Sequence, residues 1–441
     1  MELSTPQPTL PSSAPLWRKL LAWHIGPLPL PVYLVAVAVV LGAAFTGKLP
    51  NDLIGGLGVM MLAGFLLGDI GARLPILKHI GGAAILCLFV PSAMKAYDLY
   101  HPSMQQALTT AMKTANLQYL YIAGLVVGSI LGMSHRMLVQ GFMRMFIPLV
   151  VGTIAAAAVG VLVGMAFGFD PKHTFFYIIV PIVGGGIGEG ILPLSIGYSE
   201  ITGTPQAQIV ASLIPAALIG NVVAILLSGG IAWLGEKRPD LSGDGKLVRT
   251  GDDLNLAGEE KHGGTLNLSA MGAGLLLTCA FFIFGALLSP LTGIPGPILM
   301  IISVAVAKVL RLLPAAMEDG AYQFYQFLTR NLTFAILVGL GTLFVPWKQM
   351  IDSLTVGYFV VCGSAVAAMV ASGYFVGILM KMYPVESSIV TACHSGLGGT
   401  GDVAILSASN RMGLMPFAQI STRIGGAGMV VLATLLLKAF H

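Results

Sequence analysis

The segment Gly184–Ser195, GGGIGEGILPLS, has a shorter counterpart, GGTGDVAILS, at Gly398–Ser407. Gly185–Glu189 and Gly398–Asp402 align at a shift of 398 − 185 = 213 positions, close to half the chain. Four glycines fall within six positions at 396–401, and each costs a helix interior about 1 kcal/mol against alanine. We therefore predict two pairs of half-helices, each pair meeting at an unwound turn. Close helix packing by small residues is the alternative interpretation.

Composition places these segments in a membrane. The chain has 441 residues, of which 56% are hydrophobic and 10% charged, and its mean hydropathy is +0.87. A soluble domain is roughly 25% charged and could not bury this much apolar surface. A secreted enzyme, a nucleic-acid-binding protein and a disordered scaffold are excluded. The net charge of +4 is too small and scattered to indicate a polyanionic partner.

The four cysteines lack the spacing of a disulfide framework or a metal site, and we interpret them as small buried apolar residues. They are Cys87, Cys279, Cys362 and Cys393.

Apolar runs predict about ten to thirteen membrane segments, since a spanning helix needs about 20 apolar residues. The runs lie at 31–45, 53–67, 81–93, 119–133, 142–167, 175–197, 207–234, 268–288, 295–310, 332–345, 356–380, 387–409 and 417–440.

Four regions follow from this pattern. Residues 1–30 form a retained N-terminal tail without a cleavable signal, ending in an interfacial anchor of Trp17, Arg18, Lys19 and Trp23. Residues 31–235 form a first transmembrane repeat and 267–441 a second. The polar loop at 236–266 carries several Lys and Arg residues near membrane ends, and the positive-inside rule places it in the cytoplasm.

The broken segments offer the chemistry of helix ends. An exposed helix N-terminus suits a carboxylate, and the carbonyls of a C-terminus suit a cation. Arg423 lies at the head of an apolar run beside Ser421, Thr422 and two glycines. An arginine in a span costs at least roughly 2.5–3.5 kcal/mol, so it needs a partner or a wet cavity. We predict that its guanidinium binds a substrate carboxylate, with Ser421 adding a neutral hydrogen bond. The alternative is an arginine that snorkels to the interface.

Glu189 and His394 are candidate proton carriers, and a structural role is an equal alternative for each. Asp402 is interpreted as a partner for the amides of its own turn. Enzymatic signatures are missing, because GGGIGEG lacks the Gly-Lys-Ser/Thr of a P-loop and no HExxH or GxSxG motif occurs.

Taken together, several segments resemble the 2-hydroxycarboxylate transporter family, the bacterial carriers of citrate and malate. The resemblance runs over nearly the whole chain, and its most specific parts are GGGIGEGILPLS at 184–195, YPVESSI at 383–389, GGTGDVAILS at 398–407, NRM at 410–412 and AQISTRIGG at 418–426.

The resemblance implies an all-α membrane protein of the cytoplasmic (inner) membrane. It implies a homodimer whose protomers have two inverted repeats, two re-entrant hairpins and an elevator-type motion. It also implies that the glycine loops cradle substrate and coupling ion. The substrate-binding residues are then Gly186, Ile187, Gly188, Gly398, Gly399, Thr400, Ser421 and Arg423. The candidates for coupling-ion binding are Gly184, Glu189, His394, Ser395, Gly396, Thr400 and Asp402.

Three positions depart from the sodium-coupled citrate carriers of the family. Those carriers have an Asn in the first glycine loop, and an Asn followed by a second Arg just before the second glycine loop. Here Ile187, Gly396 and Leu397 stand there. The GGxGEG and HSGxGGTGD patterns are more similar to the malate or citrate–malate branch.

The sequence thus predicts secondary active symport of 2-hydroxycarboxylates, with malate preferred, citrate second, and no cofactor. The coupling ion is H+ or Na+: Glu189 and His394 favour H+, whereas broken-helix carbonyls and Thr400 could hold Na+. A malate/lactate type of exchanger is the alternative, and an intramembrane enzyme is a remote one.

Overall fold

The structure, a computed structural model, is mainly helical over the residues that it describes, where a two-stranded hairpin and the isolated bridge Val248–Met382 are the β-structure. It describes residues 22–75, 82–133, 142–249, 266–292, 294, 296–345, 347–348, 351 and 354–440. The side chains of Phe142, Met143, Thr400 and Pro416 lie outside this description, as do the predicted anchor residues Trp17, Arg18 and Lys19. Trp23 is half exposed, and the centre of its ring lies 5.9 Å from the Arg73 guanidinium carbon.

Within the described residues, six helices are long and apolar enough to cross a membrane, or up to eight if two bent pairs each count as one span. Three further apolar helices of 10–17 residues occur. Among the described residues, every predicted apolar run contains helical structure, and the runs at 175–197 and 387–409 each also contain a non-helical turn. Two helices, Pro102–Thr109 and Ala315–Asn331, were not predicted, because both are rich in polar residues.

One compact unit comprises Met1–Tyr121 and Phe327–Gln349, as far as these are described. Its strands are β1 (His24–Ile25) and β2 (Leu28–Pro29), and its helices are α1 (Leu30–Phe45), α2 (Leu53–Arg73), α3 (Gly82–Ala96), α4 (Pro102–Thr109, continued as a π-helix over Thr110–Thr114), the start of α5 (Leu117–Leu131) and α13 (Thr333–Phe344). Small residues let the backbones approach: a β-carbon built on Gly64 would lie 2.7 Å from the backbone nitrogen of Ala335 in α13.

The other unit comprises Ile122–Gln326 and Met350–His441 and contains both glycine motifs. Its unbroken helices are the remainder of α5, α6 (Phe142–Ala166), α9 (Gln206–Lys237), α10 (Leu268–Thr292), α11 (Gly296–Val309), most of α12 (Ala315–Asn331) and α14 (Val356–Leu379). Each unit takes residues from both halves of the chain.

The remaining helical regions of this second unit are two pairs of helices, each pair separated by a turn, and one helix with a π-helical stretch inside it. The segment α7 runs through Pro171–His173, a π-helix at Thr174–Ile179 and Val180–Ile182, and α8 starts as a π-helix at Ile187–Ile191 and continues over Leu192–Thr202. A second pair consists of α15 (Pro384–Cys393) and α16 (Gly399–Ala408). The last element, α17, runs through Met415–Gln419, a π-helix at Ile420–Gly425 and Gly426–Phe440.

The beginning of the polar loop is docked against the second interrupted pair. The buried Glu386 carboxylate accepts hydrogen bonds from the Ser242 hydroxyl (2.8 Å) and the Gly243 amide (2.9 Å), and it pairs with Arg411 Nε at 3.1 Å. Leu247 is fully buried and its carbonyl accepts from the Tyr383 amide. The Glu386–Arg411 ion pair and the hydrogen bonds of Glu386 connect the loop to the start of α15 and to the residues after α16.

Candidate functional site

The first glycine turn separates α7 from α8. Gly185 (φ +83°) and Gly186 (φ +97°) adopt conformations that L-residues with a side chain rarely take. A β-carbon on Gly190 would lie 2.7 Å from the carbonyl carbon of Gly184, so the turn folds back on the helix that follows it. The Ile191 amide donates to the Gly186 carbonyl at 2.8 Å. The predicted interruption at this motif is therefore present.

The second turn separates α15 from α16 and has Gly398 at φ +76°. The Leu397 amide donates to Oδ1 of Asn221, on α9, at 3.1 Å. A β-carbon on Gly401 would lie 2.7 Å from the same oxygen. The side-chain oxygen of Asn221 therefore accepts the hydrogen bond of a backbone N–H that would bond to a carbonyl in a continuous helix.

The two turns touch each other. A β-carbon on Gly186 would lie 2.5 Å from the carbonyl carbon of Leu397 and would overlap the nitrogen of Gly398. The first turn also packs on α17, where a β-carbon on Gly426 would lie 2.6 Å from the Gly185 Cα. Only glycine permits backbone segments to approach this closely.

Gly399 differs from its neighbours. It is exposed, and a β-carbon built on it would meet no heavy atom within 4 Å. It is the first residue of α16, so the exposed position lies at a helix start, directly after the junction of the two turns.

Arg423 reaches this junction from the π-helical stretch of α17 and is only 8% exposed. Its Nη2 donates to the Tyr325 hydroxyl at 3.0 Å, and its guanidinium carbon lies 4.9 Å from the centre of the Tyr325 ring. This burial argues against an arginine that extends to the membrane surface.

Two carboxylates share the neighbourhood of that guanidinium. Glu189, on α8, is half-buried, and both Glu189 and Asp402 act electrostatically on Arg423. Asp402 is fully buried, and its Oδ2 accepts from the Thr422 hydroxyl at 2.9 Å. Its Oδ1 is buried, has no hydrogen-bond partner among the described residues, and lies 3.3 Å from a β-carbon built on Gly396. A bare buried carboxylate oxygen is costly and is a natural position for a cation.

The buried His394 joins the second turn to α17. Its Nδ1 donates to the Ser421 carbonyl at 2.9 Å, because a carbonyl can only accept, and its ring lies against Gly425. Ser421 is fully buried and its hydroxyl has no partner among the described residues, whereas the Ser395 hydroxyl contacts the Met369 sulfur at 3.2 Å. These contacts favour a structural role for His394 and leave Ser421 available to a ligand.

The remaining predicted positions belong to the turns themselves. Ile187 is buried, Gly188 is half-buried, and Gly184 and Gly396 are buried. The side chain of Thr400 lies outside the described residues. Sequence reasoning missed Tyr325 and Asn221. Tyr325 sits on the polar helix α12, where Tyr322 and Tyr325 on one face (i, i+3) were the available signal.

The family model described as "2-hydroxycarboxylate transporter family" matches residues 25–435. The chain belongs to this family. Among its relatives, the Na(+)-malate symporter of Bacillus subtilis is 54% identical over 96% of this chain and 95% of its own length. The citrate/malate-proton symporter of the same organism is 40% identical, over 95% and 93%. A citrate/sodium symporter of Salmonella typhimurium is 31% identical over 95% of each chain.

These comparisons confirm the resemblance seen in the sequence, including the greater similarity to the malate and citrate–malate carriers. With its apolar helices, this member of the 2-hydroxycarboxylate transporter family is a multi-pass protein of the bacterial inner membrane.

Proposed function

We propose that this transporter is a secondary active symporter of 2-hydroxycarboxylates, with malate as the preferred and citrate as the second substrate, and with Na+ as the coupling ion. The observation that carries the proposal is the buried Arg423 guanidinium on a helix that packs, through Thr422 and Gly426, against the junction of the two glycine turns. The names of the relatives support the same substrate class.

An organic dianion fits this junction. One substrate carboxylate would accept from the Arg423 fork, and the other would accept from the amides at the start of α16. The Ser421 hydroxyl, buried and without a partner among the described residues, would bind a substrate hydroxyl or carboxylate. The glycine turns let the backbone approach the solute.

Charge explains why transport of the anion would need a cation. With both acids ionised, Glu189 and Asp402 outnumber Arg423 by one negative charge, and malate adds two more. Such an excess in a buried site is unfavourable unless positive ions enter with the anion. Anion and cation binding are then coupled by electrostatics alone.

Asp402 is the proposed Na+ ligand. Its free Oδ1 lies at the turn that follows the C-terminal end of α15, where a helix presents its negative pole. Among the described residues, no group of three or more His, Cys, Asp or Glu could hold a metal ion, so the other ligands would be carbonyls and hydroxyls, as a hard cation prefers. The 54% identical relative is named as a sodium symporter.

The family resemblance supports the larger architecture that we propose: inverted repeats at 31–235 and 267–441 joined by a cytoplasmic loop at 236–266, two re-entrant hairpins, a lipid-embedded homodimer and an elevator motion.

The two glycine motifs differ in length by one residue. In the first motif Ser195 follows Gly185 by ten residues, whereas in the second Ser407 follows Gly398 by nine residues. The π-helical start of α8 accommodates such an extra residue, which supports the equivalence of the motifs. The solute would cross unchanged, so we expect no enzymatic activity.

The test is uptake of radiolabelled malate by proteoliposomes under separate sodium and proton gradients. We expect the sodium gradient to drive accumulation and Asp402→Asn to raise the half-saturating Na+ concentration about tenfold, as loss of a charged contact worth ~1.5 kcal/mol would. Accumulation driven by protons alone would contradict sodium coupling. Counterflow without net uptake would identify an exchanger, and chemical conversion of malate an enzyme.

A further inference from the structure

The part of α17 that carries Arg423 is the π-helical stretch Ile420–Gly425. A π-helix bonds residue i to residue i+5, so this stretch contains one residue more than an α-helical turn would hold. Since an α-helix rotates by about 100° per residue, relaxation to α geometry would turn the Arg423 side chain by about that angle relative to one flank of the helix. The direction of the guanidinium therefore depends on the contacts that keep the extra residue in place.

The two glycine turns contact this stretch from two sides. On the side of the first turn, a β-carbon built on Gly185 would overlap the Thr422 carbonyl. On the side of the second turn, His394 Nδ1 donates to the Ser421 carbonyl at 2.9 Å. The same imidazole lies against Gly425, where an added β-carbon would be 2.7 Å from His394 Cε1. The first contact is made by backbone alone, whereas the second depends on one side chain.

The contacts of His394 lie on both sides of Arg423 in the sequence. Ser421, whose carbonyl His394 binds, comes two residues before Arg423, and Gly425 comes two residues after it. His394 is only 2% exposed, so water has little access to replace its hydrogen bond. A buried carbonyl that loses its donor is unfavourable, and the backbone around it then tends to move toward another partner.

We propose that His394 is a positioning residue for substrate binding: its hydrogen bond to the Ser421 carbonyl keeps the π-helical stretch in the geometry that directs Arg423 to the substrate. This inference rests on the transport function proposed above, in which Arg423 binds a substrate carboxylate. It requires a donor at the position of Nδ1 and no change in protonation, which distinguishes it from a proton-carrying role of His394.

The experiment compares His394→Asn with His394→Leu, two side chains of nearly the same shape. The asparagine amide nitrogen takes the place of Nδ1 and donates to a carbonyl, whereas leucine has no donor. Initial rates of malate uptake by proteoliposomes at saturating Na+ give the KM and the maximal rate of each variant. We expect His394→Leu to raise the KM about tenfold, which corresponds to about 1.4 kcal/mol, and the KM of His394→Asn to stay within about threefold of the wild type.

A double-mutant cycle separates positioning of Arg423 from a general loss of structure. If His394 acts through Arg423, substitutions at the two positions are not additive. In an Arg423→Lys background we therefore expect His394→Leu to raise the KM by less than about threefold. A further increase of about tenfold in that background would show that His394 acts independently of Arg423 and would overturn the proposal.

Gly425→Ala tests the same contact if the His394 variants do not insert. Its β-carbon would displace the imidazole, its φ is not positive, and we expect the KM for malate to rise several-fold. Gly428→Ala is the matched control on the same helix, because a β-carbon there would meet no heavy atom of the described residues within 4 Å, and we expect it to keep the wild-type KM.

Two results would overturn the positioning role while leaving the transport function intact. One is an equal KM in His394→Leu and His394→Asn, whether both match the wild type or both are raised. The other is an equal KM in Gly425→Ala and Gly428→Ala. Absence of malate uptake by the wild type under a sodium gradient would instead overturn the proposed function.

Discussion

Replacing Gly186 with alanine is expected to separate the two glycine turns and to abolish transport. Gly186 has φ +97° and ψ −171°, a region that is essentially restricted to glycine. Its added β-carbon would lie 2.5 Å from the carbonyl carbon of Leu397, on the opposite turn.

The magnitude follows from two terms. Strained backbone of this kind costs about 1–3 kcal/mol. Carbon atoms prefer separations of about 3.5–4.0 Å, so the turns must move apart by roughly 1 Å, and overpacking costs typically ~1–3 kcal/mol more. A displacement of about 1 Å in a binding site can lower activity about 100-fold, so we expect at least that loss of malate uptake.

Gly399→Ala is the matched control, because its β-carbon would meet nothing within 4 Å and its φ is not positive. Thermal unfolding in detergent and initial rates of malate uptake would be measured for both variants. We expect the Tm of Gly186→Ala to fall by several degrees and that of Gly399→Ala to stay unchanged or rise. Equal Tm values in the two variants would refute the contact between the turns.

Three further substitutions test other parts of the account. Arg423→Lys should raise the KM for malate about tenfold or more, because the bidentate fork is lost; unchanged kinetics in an inserted variant would argue against a substrate role. Gly399→Leu should insert and unfold as the wild type does but transport nothing, because its side chain fills the open space at the start of α16; normal uptake would show that this space is not the substrate's. Glu386→Ala should lower the free energy of unfolding by about 3–5 kcal/mol because it removes the buried carboxylate partner of Arg411, whereas Asp244→Ala removes a partner that is 95% exposed and should cost under about 1 kcal/mol. Equal unfolding midpoints in denaturant titrations of those two variants would contradict the assigned role of the ion pair.

The interruptions were predictable because glycine spacing is a local property of the sequence. Four glycines in six positions oppose a helix whatever surrounds them, and both turns are present where the motifs stand. The burial of Arg423 was likewise predictable, since an arginine inside an apolar run needs a partner. The partner itself was not, because Tyr325 lies 98 positions away on a helix too polar to be read as a span.

The contacts of Asn221 and Glu386 are long-range and have no local signal in the sequence. Asn221 is one of several polar residues in a 32-residue, mainly apolar helix. Only the fold shows that its side chain accepts a hydrogen bond from the second turn. The polar composition of residues 236–266 predicted a loop, but its docking on Glu386 depends on an ion pair with Arg411 that no periodicity reveals. His394 was read as a candidate proton carrier, and its bond to the Ser421 carbonyl favours the structural alternative.

The most direct test of the central claim is a structure of the protein determined with malate and Na+ bound. The account predicts α7–α8 and α15–α16 interrupted at the glycine turns, with a malate carboxylate about 3 Å from the Arg423 nitrogens. Malate bound elsewhere, or continuous helices through both glycine motifs, would contradict it.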